Sequence, residues 1–165
     1  MQPLKQTTKD FFRANDILFF ALLGGQVMFS LIMLGLLLTE DNVVQADANF
    51  VNILLVVVIF ISATSVVASI KVYQLKLQSI PATVTLAEKL VQYRSACIIR
   101  WALLEFPSFL AIIASFLTGS IIFLALAGIV MVYFYTIKPT PEKAANDLNL
   151  DMNERIKITD PDSLL

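Results

Sequence analysis

Residues 17–38 and 50–70 run for 22 and 21 positions without one charged side chain. As a helix rising 1.5 Å per residue, either stretch covers the roughly 30 Å hydrocarbon core of a bilayer. Two further stretches follow. Residues 96–117 are apolar apart from Arg100 and Glu105, and residues 121–137 supply a shorter run of 17, which implies little tilt. The four occupy 82 of 165 residues, too many for one buried core with an ordinary water-facing surface. They are continuously apolar and do not alternate, so helices are expected and a barrel is not. The first run exceeds the apolar region of a signal peptide, about 7–15 residues, and no small-x-small cleavage pattern precedes Thr39. We read it as a retained span. The fold expected is all-α: an integral membrane four-helix bundle.

Basic residues order the spans. Lys5, Lys9 and Arg13 precede the first. Lys71, Lys76, Lys89 and Arg94 lie in the connection 71–95, and Lys138, Lys143, Arg155 and Lys157 follow the fourth span. The connection between spans one and two carries only Glu40, Asp41 and Asp47, and the turn Thr118-Gly119-Ser120 carries no charge. Eleven of the twelve basic residues thus fall on one side, the side of both termini, which is expected to be cytoplasmic. Tyr73, Tyr93, Trp101, Tyr133 and Tyr135 sit near the same span ends, as interfacial aromatics do.

Composition removes several function classes. The chain has no histidine and one cysteine, so it offers no imidazole base, no histidine-ligated metal and no cysteine cluster. A net charge of −1 speaks against nucleic-acid binding driven by phosphate contacts. There is no nucleophile elbow, no phosphate-cradling glycine loop and no acidic pair spaced for a metal. We expect no enzyme activity, no cofactor and no metal site.

Outside the spans, Pro81 interrupts the connection 71–95, and Thr85-Leu86-Ala87-Glu88 has the form of a capping box. Leu86, Leu90 and Tyr93 then recur at helical spacing toward Ala96. Span three should therefore project from the membrane as one helix of about 30 residues, with Lys89 and Arg94 near lipid headgroups. In the tail 139–165, Pro139 ends span four and Thr140-Pro141 opens a short helix over 141–148. Beyond Asn149 the polar, acidic tail is expected to be flexible.

Twelve residues from Phe12 and twelve from Tyr93 share five identities and four close matches. A tandem duplication of a two-helix hairpin would give that pattern.

Polar groups inside the spans are the candidates for chemistry. Glu105 lies about 10 Å from the basic end of its span, where an ionised carboxylate is costly unless paired or hydrated. Gln26, Gly24, Gly25, Ser62, Ser65 and Gly128 lie at a similar level, and together these residues suggest a shallow polar pocket open to the basic side. Glycines and serines are also ordinary packing features of membrane helices, and Ala21 with Gly25 forms a small-xxx-small pair. Arg100 and Asp16 are expected to pair at the interface, and Pro107 to kink span three near Leu103.

Three functions fit these features: an accessory or assembly subunit of a membrane complex, an oligomeric proton-linked transporter working through Glu105, or a lipid-modifying enzyme. The last lacks a nucleophile or metal site. The transporter reading is similar to small multidrug-resistance exporters in its four spans and single membrane glutamate. Here, though, the carboxylate is in span three, and the middle connection and tail are longer. The accessory reading is favoured, with the bilayer and a homo-oligomer or larger complex as partners. The absence of an N-x-S/T sequon is compatible with a bacterial cytoplasmic (inner) membrane.

Overall fold

The computed structural model describes residues 7–39 and 46–165. Lys5, Glu40 and Asp41, which enter the charge argument, lie outside the described residues. Six helices follow one another: α1 Thr8–Leu38, α2 Ala48–Gln78, α3 Leu86–Thr118, α4 Ile122–Thr136, α5 Pro141–Asp147 and α6 Met152–Thr159. No extended strand occurs among the described residues; a single bridge joins Thr7 to Leu164.

α1, α2 and α3 contain 31, 31 and 33 residues, so each measures about 46–50 Å. All three are apolar enough to cross a membrane. α4 differs. Its 15 residues reach only about 22 Å, and it meets α5 at a bend of 80°. The stretch 121–137 makes a fourth crossing only if α4 and α5 are taken as one broken span. Three to four such helices fit an integral membrane protein.

Local chemistry sets the helix ends. The Thr7 hydroxyl accepts the Asp10 amide, and Asp47 accepts that of Asn49. The capping box expected at Thr85 is present, with the Thr85 and Glu88 side chains each bonded to the other's backbone amide. Thr140 accepts the Lys143 amide at 3.2 Å, with Pro141 in the first turn of α5. α3 ends at Gly119, whose φ of 67° is left-handed backbone that a Cβ would strain. The turn is then held by Ser115 and Thr118, whose hydroxyls bond Ser120 and Ala114 carbonyls.

α3 is the central element, with α1, α2 and α4 packed around it. Leu90, Tyr93, Cys97, Trp101, Leu104, Ser108, Ala111, Ser115 and Thr118 are all buried. Each is three or four residues from the next, which draws one continuous stripe along the helix. Toward the far end the stripe consists of small residues, which let α2 and α4 approach closely. Nearer the start of α3 it is aromatic. Phe19 of α1 stacks on Phe134 of α4 at 4.9 Å and meets Trp101 of α3 edge-on at 5.5 Å. The outward faces of α1 and α2 are apolar and open, with Leu31, Ile53, Val56 and Phe60 all more than 60% exposed, as lipid contact requires.

The packing does not repeat the sequence similarity between spans one and three. α3 and α4 lie along one another, whereas α1 and α2 hardly touch, and α4 is half the length of α2. The two halves are not equivalent hairpins.

The tail departs most from expectation, because it is folded. Asp151 and Glu154 form a second capping box that opens α6, and Leu150 and Ile158 are buried at 5% and 1% exposure. Arg155 ties α6 to α5, donating to the Leu150 and Ala145 carbonyls and to Asn146 Oδ1. The last residues then run beside the start of α1, where the Thr8 amide donates to the Ser163 carbonyl at 3.0 Å and the Lys9 amide to that of Pro161 at 3.1 Å. With Asp10 bonded to the Thr7 hydroxyl, the amides of Thr8, Lys9 and Asp10 all have partners. A helix normally leaves these amides without intrahelical partners. Here the tail supplies two of the three acceptors, and burial of Ile158 offsets the entropy of ordering it.

Candidate functional site

The polar residues singled out inside the spans are not gathered around one cavity. Glu105 is half-exposed on the flank of α3, between exposed Ala102 and Phe106. Neither ion pair among the described residues includes it. Gln26 is fully buried and donates from Nε2 to the Leu22 carbonyl of its own helix, leaving Oε1 without a partner among the described residues. Ser62 likewise donates within its helix, to the Val58 carbonyl at 2.7 Å, and Ser65 is half-buried. A Cβ placed on Gly24, Gly25 or Gly128 would meet nothing within 4 Å. These glycines therefore do not mark close helix contacts within this chain. That role falls to Ser108, Ala111, Ala114 and Ser115 of α3, all buried. Pro107 is buried and α3 continues through it to Thr118, although the proline cannot donate to the Leu103 carbonyl.

The expected Arg100–Asp16 pair is replaced by two other contacts. Asp16 pairs with Lys138 at 3.2 Å, because it faces the residues that follow α4. The Arg100 guanidinium turns toward α2 and lies 4.7 Å above the centre of the Tyr73 ring, close enough for a cation–π attraction. Lys89, expected at the lipid surface, pairs with Glu154 of α6 at 2.7 Å, with side chains only 11% and 19% exposed.

The densest polar cluster is thus at the end where α2, α3 and α5 converge. Tyr73 donates its hydroxyl to Asp147 Oδ2 at 2.6 Å, and Tyr93 meets the Tyr73 ring edge-on at 6.4 Å. Lys143 Nζ donates to the Thr136 and Lys138 carbonyls at 2.9 and 3.0 Å, satisfying acceptors at the end of α4. These groups, with Cys97 and Arg100, line a cavity of about 260 Å³. Chemically the arrangement is a latch that clamps α5 onto the ends of α2 and α3. Cys97, the one cysteine in the sequence, is buried beside Tyr93. Among the described residues no three His, Cys, Asp or Glu side chains are placed to hold a metal ion.

α6 completes this terminal module. It is anchored on one side by Ile158 and the Lys89–Glu154 pair. On the other side Met152 and Ile156, one turn apart, are 73% and 58% exposed. The pairing went unnoticed in the sequence because no helix was expected there, although Asp151-x-x-Glu154 carried the signal.

Comparison of the chain with known protein families, characterised proteins and solved structures gave no match.

Proposed function

We propose that this chain is a non-enzymatic accessory or assembly subunit of a larger membrane complex, with both termini on the cytoplasmic side of a bacterial inner membrane. The observation that carries the reading is the outward pair Met152 and Ile156 on α6. α6 is otherwise polar and lies beyond the apolar stretches, yet it exposes two large apolar side chains from a firmly anchored helix. A fixed helix with an apolar stripe at i and i+4 suits docking into a groove on another protein. The segregation of eleven of twelve basic residues to this end supports its cytoplasmic placement.

Paired substitution of Met152→Asp and Ile156→Asp leaves every anchoring contact of α6 in place. Cross-linking in native membranes, followed by purification, should recover the chain with a defined partner. The paired variant should lose that partner while keeping its membrane insertion and helix content. Retention of the partner would refute the reading. Glu105→Gln separates it from the carrier alternative: an accessory subunit keeps its function, whereas a proton-linked carrier loses pH-dependent transport in proteoliposomes.

A further inference from the structure

We propose that the groove between the start of α1 and α6 binds one anionic phospholipid, its phosphate held by Lys9 and Arg13 and its acyl chains laid along Ile17, Phe20 and Ala21. The groove encloses about 790 Å³, within the range of about 300–1,000 Å³ usual for small-molecule sites. α1 forms one wall; Pro141, Ile158, Thr159 and Pro161 form the other.

Polarity changes along this groove as it does along a lipid. Lys9 and Arg13 are one turn apart and precede the apolar stretch, whereas Ile17, Phe20 and Ala21 lie within it on the same face of α1. From Lys9 to Ala21 the axis extends about 18 Å, too long and too apolar at its inner end for a free inorganic anion. Ile17 and Phe20 are 63% and 47% exposed, so the floor is open to an occupant.

Charge complements a phosphate. Lys9 and Arg13 are exposed, and neither belongs to an ion pair among the described residues. The carboxylate lining the groove, Asp16, is engaged by Lys138, whose Nζ also lies 4.9 Å above the Phe20 ring. The first-turn amides of α1 are already bonded to the tail and to Thr7, so selectivity falls on the basic side chains. A basic pocket beside a membrane helix is the arrangement that holds acidic headgroups.

The test uses the full chain, delipidated in nonionic detergent, with phosphatidylglycerol and phosphatidylcholine of identical acyl chains added separately. Native mass spectrometry should show one phosphatidylglycerol retained per chain, with about tenfold or greater preference over phosphatidylcholine. Lys9→Gln with Arg13→Gln should abolish the preference. Lys71→Gln with Lys76→Gln makes the same charge change outside the groove and should leave it intact. Ala21→Trp keeps every charge and fills the apolar end, and it should weaken retention about tenfold. Equal retention of both lipids, equal loss in the two charge-neutralised pairs, full retention by Ala21→Trp, or displacement by inorganic phosphate at lipid concentrations would each overturn the proposal. Should the Lys9/Arg13 variant lose helix content, Ala21→Trp decides.

Discussion

Tyr73 and Asp16 show how differently two polar contacts weigh at the same end of the molecule. The Tyr73 hydroxyl reaches Asp147 from a side chain only 7% exposed, so Tyr73→Phe should cost about 1 kcal/mol and lower the thermal midpoint in detergent by several degrees. Asp16 and Lys138 are 38% and 32% exposed, and Asp16→Asn should change stability by well under 1 kcal/mol and only at low salt. Gly25→Ala and Gly128→Ala should each stabilise the isolated chain by roughly 0.5–1 kcal/mol, since a methyl group meets open space and the helix gains propensity. Reversible unfolding of the purified chain would check both. A loss of stability at either glycine would place another chain against that face. Residue by residue, the polar groups were legible as exceptions in apolar runs, but their directions were not. Glu105 and Gln26 each lie nine positions past the start of their apolar stretches, yet one reaches the flank and the other the interior, because neighbouring helices decide which face is covered.

Elements were easier to read than their contacts. The long apolar runs and the Thr85 capping box fixed where α1, α2 and α3 lie, since charge-free length and a paired cap are local properties. The stripe from Leu90 to Thr118 was equally present in the sequence but masked. Its inner members include Ser108, Ala111 and Ser115, while outward Phe106, Ile113 and Phe116 are 53–60% exposed. In lipid the small and polar residues turn inward, so apolar periodicity points the wrong way. α6 was missed because eight residues are too few to make a helix persist alone. Its cap therefore matters more than usual. Asp151→Ala should cost about 1 kcal/mol and release α6 together with the stretch of tail beside α1. Hydrogen exchange would report this as lost protection at the Thr8 and Lys9 amides, more than 140 residues away in sequence.

Taken whole, the molecule is a central helix with apolar neighbours, closed at one end by a folded module that unites both ends of the described chain. Lys89 and Glu154 connect that module to α3 across 65 residues. Reversing either charge alone should loosen the module, and Lys89→Glu combined with Glu154→Lys should recover about 1 kcal/mol of coupling, measured as a double-mutant cycle. Long-range closure of this kind leaves no local mark in a sequence, since each partner reads as an ordinary surface charge. The union of α1 with residues 161–163 also imposes a schedule on biosynthesis. At about 5–20 residues per second, synthesis of α1 ends at Leu38 roughly 6–25 s before the carbonyls that finish its first turn, from Pro161 on, are made. During that interval its leading amides are open to water, lipid or an insertion factor. α1 precedes the other five described helices in the chain, yet it is among the last of them to be completed.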